Sequence, residues 1–321
     1  MTAKMVTVFG GSGFLGRHVV QTLARQGYRI RVAVRRPHLA AHLGPLGDVG
    51  QIQLMQANIR DEASVARALE GADMAVNLIG IISETGKQKF NAVHIQGPAH
   101  IAQAARQMGV DQLIHVSALG ADLNASSKYA RSKAKGEGAV LEAFPNAVIV
   151  RPSAVFGRED DFFNKFAALA RLSPCLPLIG GGSTRFQPVY AADVAAAIER
   201  ILTLAKPGPS VFELGGPAVF TLKELIQFVC SVTGRRRALV PIPFPLAKFQ
   251  AFFLGLLPSP LLTMDQVNML KQDSVIIAGT GQTAAGTFAE LGLDPSSVES
   301  VVPTYLARFR RHGQYEQTYA H

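Results

Sequence analysis

Apolar positions in the first half of the chain fall into short runs, and between the runs they recur every three to four residues. The runs are MVTVF (5–9), RIRVAV (29–34), IQLMQA (52–57), MAVNLI (74–79), QLIHVS (112–117) and AVIVR (147–151). Rich in valine and isoleucine and bounded by turn residues, they predict strands. The first intervening stretch, FLGRHVVQTLARQG (14–27), keeps its apolar residues on one face and predicts an amphipathic helix. Strands alternating with helices predict an α/β fold with a parallel sheet covered on both faces. Near Phe156 the rhythm breaks. The chain beyond it is rich in proline (SPCLPLIGGG, KPGPS, PIPFP, LPSP), and its helices no longer alternate regularly with strands. This half is read as a smaller C-terminal cap domain, with helix starts at the capping-box patterns TLKE (221–224) and TMDQ (263–266). The expected division is 1–157 for the first domain, with 187–215 returning to it, and 158–321 for the second.

Composition narrows the class. With 321 residues, 48% hydrophobic and 17% charged, the chain can bury a sizeable core and is not expected to be disordered. Cys175 and Cys230 are far apart and lack metal-like spacing, so they are read as buried free thiols in a reducing, cytoplasmic compartment. MTAKMVTVFG enters a strand at once, so no signal peptide is expected, and no apolar run reaches the roughly 20 residues of a membrane span. The net charge of +9 gathers at Arg35–Arg36, Arg235–Arg237 and Arg308–Arg311. No recognisable nucleic-acid module accompanies it. An anionic cofactor with an acidic membrane or protein surface accounts for the charge, and a solvated basic face is an equal reading of the last two clusters.

Candidate chemistry begins between the first strand and the first helix. Gly10, Gly13 and Gly16 form GxxGxxG in the strand–turn–helix context of a dinucleotide fingerprint. Gly10 permits the tight turn, Gly13 lets a pyrophosphate approach the backbone, and Gly16 lets the helix pack closely. The amides of the first helical turn, at Phe14, Leu15 and Gly16, then face the phosphates. A Rossmann-type doubly wound sheet is the expected fold. Where an NAD site usually carries an acidic residue, after the second strand, this chain has Arg35 and Arg36, which suit a 2′-phosphate and favour NADP(H). Asn58 and Ile59 stand where an adenine edge could bind, and Leu78, Ile79 and Gly80 end the fourth strand beside the phosphates.

SSKYARSKAKGEG places Tyr129 and Lys133 four residues apart on one helical face. The lysine is expected to lower the phenol's pKa and hold the nicotinamide ribose. Tyr129 then serves as general acid or base, and Ser117 at the end of the fifth strand polarises a carbonyl. With the glycine loop upstream, this pair resembles the short-chain dehydrogenase/reductase superfamily, in its extended and atypical branches, over nearly the whole chain. VIVRPSAVFG is similar to that superfamily's strand and turn beside the nicotinamide, which implies a cofactor role for Pro152 and Val155. QPVYAADVAAAI is similar to its aspartate-containing helix start.

KYARSKAKGE, AFPNAVIVRPSAVFGREDDFFNKFA and LLTMDQVNMLKQDSVI resemble the dehydrogenase-like accessory subunits of respiratory complex I and their bacterial relatives. That resemblance implies a tightly held NADPH remote from the electron-transfer chain, a structural or regulatory role, and complex I subunits as partners. Two departures stand out: no presequence precedes the first strand, which points to a bacterial or mature chain, and Asn58 replaces an aspartate frequent in related dehydrogenases.

PIPFPLAKFQAFFLGLLPSPLL (241–262) is the most apolar part of the second half. It is too short and too proline-broken to span a bilayer, and it reads either as a helix buried under the cap or as an interfacial helix docked on membrane or on a membrane subunit. His38 and His42 are expected on a loop or short surface helix rather than at a metal, and Asp160 and Asp161 are expected to point apart; no metal is expected. Three functions stand: an NADP(H)-binding accessory or assembly factor of complex I, peripheral on the inner membrane or on the matrix side; an NADPH-dependent reductase, epimerase or dehydratase using Ser117, Tyr129 and Lys133 on a small or lipid-like substrate; and a free-standing NADP(H) sensor or chaperone.

Overall fold

A computed structural model describes residues 3–204, 208, 210–255, 262–276, 285–311 and 313. In chain order the elements begin β1 (Met5–Phe9), α1 (Phe14–Arg25), β2 (Arg29–Val34), β3 (Ile52–Gln56), α2 (Glu62–Leu69), β4 (Met74–Asn77), α3 (Gly97–Gln107), β5 (Gln112–Val116), α4 (Lys128–Ala143) and β6 (Val148–Pro152). Then come β7 (Val155–Phe156), α5 (Phe162–Leu172), β8 (Cys175–Ile179), β9 (Arg185–Phe186), β10 (Val189–Tyr190), α6 (Ala191–Thr203) and β11 (Val211–Leu214). The series closes with β12 (Phe220–Thr221), α7 (Leu222–Val232), β13 (Ala238–Ile242), α8 (Phe244–Leu254), α9 (Met264–Met269) and α10 (Val298–Leu306).

Two compact units share this chain. The first comprises Met1–Pro152, Ala191–Leu214 and Ile276–Asp294. Its seven strands lie in the order β11-β6-β5-β4-β1-β2-β3, every pairing parallel. This is the doubly wound Rossmann-type sheet. Order reverses between β1 and β4, the switch point outside whose carboxyl ends such sheets bind ligands. Every residue of β1 and β4 is buried, as continuous apolar runs covered on both faces require. On α1 the buried residues are Gly16, Val19, Val20, Leu23 and Ala24, a single stripe at helical spacing. The helix α4 is pinned beneath β6 and β11 by Arg151, whose guanidinium donates to both oxygens of Glu137 (2.6 and 3.0 Å) and to Glu213 (3.3 Å).

Residues 276–294 are expected in the second domain, whereas Ile276–Asp294 group with the first unit. The physical reason is a strand edge. Gly286 N donates to Val211 O (2.9 Å) and Glu213 N donates to Gly286 O (2.8 Å), so a short piece of chain satisfies the open side of β11.

The second unit comprises Ser153–Tyr190, Gly215–Val275 and Pro295–His321. It holds three two-stranded pairings, β7 with β10, β8 with β13 and β9 with β12. Helices α5, α7 and α10 enclose Phe163, Ala167, Leu225, Val229, Val302 and Leu306. Capping boxes at Thr221/Glu224 and Thr263/Gln266 start α7 and α9 where the sequence places them. Asp160 is buried and accepts from the Tyr305 hydroxyl (2.6 Å), while Asp161 is exposed. His38 and His42 lie exposed on the 3-10 segment Pro37–Leu46. Both cysteines are free, but the expectation of burial fails: Cys175 is exposed because β8 begins at the unit's surface, and Cys230 on α7 is half-buried. No helix among the described residues is long and apolar enough to cross a membrane.

Candidate functional site

The turn after β1 is built for a close approach. Gly10 has φ +82°, and a β-carbon there would stand 2.9 Å from Ile79 Cγ1 on the neighbouring loop after β4. At Gly16 a β-carbon would overlap the Gly10 carbonyl oxygen and lie 2.6 Å from Gly11 Cα, so α1 packs directly on the loop backbone. Gly13 is the N-cap, exposed and without a side chain to cap the helix, so among the described residues no N-cap side chain takes up the first-turn amides of Phe14, Leu15 and Gly16. An uncapped, solvent-facing helix N-terminus beside a glycine turn fits a pyrophosphate.

Arg35 and Arg36 are both exposed just past β2. With its amide oxygen turned toward the guanidinium, Gln88 accepts from Arg35 Nη1 and Nη2 (2.7 and 3.0 Å). The adjacent Lys87 carbonyl accepts from Arg60 (3.2 Å), so one strap fixes two arginines that the sequence separates by 25 positions.

Both adenine candidates, Asn58 and Ile59, lie on the loop after β3. Asn58 Oδ1 is taken by the main-chain N–H and Nε of Arg60 (3.2 and 3.3 Å), bracing its own loop. Ile59 turns its side chain into the core against Gly97, and its carbonyl accepts from His100 (2.9 Å), because the loop needs an apolar anchor over α3. After β4, Leu78 N donates to Phe9 O (3.0 Å) and Ile79 N to Asn77 Oδ1 (3.1 Å), which draws Leu78 to Gly80 against the glycine turn. Pro152 closes β6 in the first unit, where its carbonyl accepts from Leu119 N (2.9 Å); Val155 lies on β7 in the second unit.

Ser127 caps α4 by accepting from Ala130 N (2.9 Å), which sets the helical register of Tyr129, Ser132, Lys133 and Gly136. Lys133 is buried and donates to the Val116 carbonyl (3.2 Å) at the end of β5. Burial draws its pKa down to about 8, with the nearby Glu137 charge working the other way. Ser117, the next residue on that strand end, is buried with no partner for its hydroxyl among the described residues. A buried hydroxyl with no protein partner is what a ligand oxygen would satisfy. Tyr129 departs from the expected activation: burial alone pushes its pKa up to about 12, so at neutral pH it keeps its proton.

His94 is the residue that the sequence reading missed. It sits in a π-helical turn, Asn91–Gln96, over which α4 passes so closely that a β-carbon at Gly136 would overlap the His94 carbonyl. Its Nε2 accepts from Ile81 N (3.0 Å), which leaves Nδ1–H to donate to Ser132 Oγ (2.8 Å). The ring stacks on Phe90 and meets Tyr129 edge-on at 5.5 Å. A β-carbon at Gly80 would stand 3.2 Å from Lys133 Nζ and 3.7 Å from His94 Nε2. Behind them, Asn77 Nδ2 donates to His115 Nδ1 (3.0 Å) across β4 and β5. A polar residue inside each apolar run, Asn77 in MAVN and His115 in QLIHV, was the available signal for that second pair.

Both imidazoles are held neutral, with pKa values brought down to about 3 by burial first and the Lys133 charge second. In the unfolded chain they titrate near their ordinary 6.5, so below that pH the unfolded state takes up protons that the folded state refuses. Stability is therefore expected to fall as pH drops from about 6.5 toward 3, by about 1.4 kcal/mol per pH unit for each histidine. Denaturation midpoints should decline between about pH 7 and about pH 5, and His115→Gln should remove one histidine's share of the slope. Equal slopes in the two proteins would refute the assignment.

Comparison with known proteins places this geometry. The family model described as "NAD dependent epimerase/dehydratase family" matches residues 6–215. The mitochondrial NADH dehydrogenase (ubiquinone) 1 alpha subcomplex subunit 9 of Arabidopsis thaliana is 36% identical over 96% of this chain and 79% of its own. Its counterpart in Mus musculus is 36% identical over 97% of this chain and 82% of its own. Among solved structures, the dTDP-glucose 4,6-dehydratase DesIV of Streptomyces venezuelae, with NAD and TYD bound, superposes with a TM-score of 0.71 at 20% identity, covering 97% of this chain and 98% of that one. The last likeness is one of fold. With its parallel seven-stranded sheet and glycine turn at the switch point, the chain belongs to the NAD dependent epimerase/dehydratase family, in the group that includes the alpha subcomplex subunit 9 proteins.

Proposed function

We propose that this protein is an NADP(H)-binding accessory or assembly factor of respiratory complex I. The carrying observation is the reach of the likeness: at 36% identity it runs over 96% of the chain, well past the residues 6–215 that the family model matches. A relative that shared only the nucleotide fold would not have to match the second half. Such a role makes the protein peripheral, on the cytoplasmic face of a bacterial inner membrane or on the matrix side in a mitochondrion.

The glycine cradle, the uncapped start of α1 and the orphaned Ser117 hydroxyl support a dinucleotide, and Arg35 and Arg36 support the 2′-phosphate form. When bound, NADP(H) supplies or accepts a hydride. Ser117, Tyr129 and Lys133 remain in the sequence order of a reductase, which is what favours the second reading, an NADPH-dependent reductase, epimerase or dehydratase. Burial keeps the Tyr129 phenol protonated at neutral pH, a state that can give a hydrogen bond to a ligand under either reading.

The deciding experiment is a native gel of gently solubilised membranes, in which the protein should migrate with NADH:quinone oxidoreductase activity. Protein found wholly in the soluble fraction, with none in that band, would move the assignment to a free-standing reductase. Tyr129→Phe should keep NADPH bound and leave the complex I band within about twofold of wild type, since only the phenolic hydroxyl is lost and the ring keeps its packing. A variant that binds NADPH normally yet loses the band as completely as a deletion would overturn the accessory reading.

A further inference from the structure

We propose that α8, flanked by Lys248 and Lys271, is a docking surface for an anionic phospholipid bilayer. The helix is apolar almost all round, yet it rests on the rest of its unit through little more than two alanines. Ala247 and Ala251 are buried against Val267 of α9, with Ile179, Ile242, Phe244 and Leu262 packed at the margin. The opposite side exposes Leu246 (49%), Phe249 (63%), Phe252 (59%) and Phe253 (53%). Leu246, Phe249 and Phe253 follow the i, i+3, i+7 spacing of one face. Phe253 meets Phe249 at 5.1 Å and Phe252 at 5.4 Å, so the exposed rings pack on one another. A contiguous patch of this kind marks an interaction site.

Charge beside the patch identifies the occupant. Lys248 lies on the helix next to Phe249, and Lys271 places its ammonium 5.5 Å from the centre of the Phe244 ring. The two ammoniums are close enough that the Lys248 charge draws the Lys271 pKa down. Neither is ion-paired among the described residues, and the nearby Asp273 is committed to Arg185 (2.8 Å). A pair of like charges beside exposed aromatic rings suits the boundary between anionic headgroups and acyl chains, where rings enter the chains and lysines reach the phosphates. The arginines before β13 do not serve this way as a set, because Arg235 and Arg237 donate to the carbonyls of Phe309 and Ala170. At 11 residues α8 is too short to span, so it lies in the plane of the surface.

This inference rests neither on the cofactor nor on complex I, and its test uses the purified full chain alone. Flotation with vesicles of phosphatidylcholine and phosphatidylglycerol in equal parts should carry the protein upward, and vesicles of phosphatidylcholine alone should carry much less. Removing each lysine, as Lys248→Ala and Lys271→Ala, should lower the partition about fivefold. Phe249→Ser, Phe252→Ser and Phe253→Ser combined should abolish flotation at an unchanged melting temperature, since all three rings are exposed. The chain has no tryptophan, so Phe253→Trp gives a single reporter whose emission should move to the blue on anionic vesicles. Wild-type protein that stays down with anionic vesicles, or a triple serine variant that floats as well as wild type, would overturn the proposal. If vesicles fail while the serine variants lose a protein partner, the patch is a protein interface and the lipid assignment falls.

Discussion

Gly16→Ala should weaken NADPH binding by about a hundredfold and cost the first unit about 2–3 kcal/mol. The added methyl has nowhere to go: it would overlap the Gly10 carbonyl oxygen and press on Gly11 Cα at 2.6 Å, and both are backbone atoms that no rotamer change can move. Relief requires α1 to lift from the turn. That displaces the amides of Phe14 and Leu15 from the place where phosphates would meet them, and it loosens the buried contacts of Val19, Val20 and Leu23. Gly138→Ala is the control, because a β-carbon there meets nothing within 4 Å on an exposed face of α4. It should leave binding unchanged and raise stability by about 0.5–1 kcal/mol through helix propensity. Titration calorimetry and thermal melts on both variants check the pair. Wild-type affinity and melting in Gly16→Ala would show that the turn does not hold a dinucleotide.

Arg35→Asp should reverse a preference for NADPH over NADH, changing the ratio of affinities by about tenfold to a hundredfold. That range corresponds to about 1.5–3 kcal/mol for hydrogen bonds to a charged group, with repulsion from the new carboxylate added. The guanidinium is exposed and held toward its strap by Gln88, so the substitution removes a ready-oriented cation without disturbing the core. NADH affinity should change little or rise, since an acidic residue at this place can accept from the ribose 2′-hydroxyl. Arg60→Ala is expected to lower NADPH affinity less, because Arg60 also braces Asn58 and the Lys87 carbonyl. Equal affinities for the two cofactors in the unaltered protein would remove the basis for assigning NADP(H).

The strands, the first helix, both capping boxes and the glycine turn were legible because each is a local pattern. A continuous run such as MVTVF is apolar because both sheet faces are covered, and Gly10 must be glycine because its φ is +82°. The Tyr129–Lys133 spacing likewise follows from the turn of one helix. What stayed hidden depends on partners remote in sequence. His94 looks like an ordinary polar residue in NAVHIQGP until Ile81, Ser132 and Lys133 are brought around it. The packing of the Ile59 side chain on Gly97 of α3 is likewise a contact that no reading of QANIRD could reveal.

By itself, then, the sequence determined the alternation of strand and helix, the position of the glycine turn and the absence of an acidic residue after β2, all of them properties of contiguous residues. Tertiary structure alone decided the charge states of the site. Lys133 near 8 and Tyr129 near 12 are set by desolvation, and desolvation depends on which distant segments pack over a group. It also decided which apolar surface is left over. The amphipathic α1 buries its one apolar stripe, whereas α8, apolar almost all round and seated on Ala247 and Ala251, leaves Phe249, Phe252 and Phe253 exposed. Hydrophobicity is a property of the residue, whereas burial is a property of its neighbours, and only the folded chain supplies those.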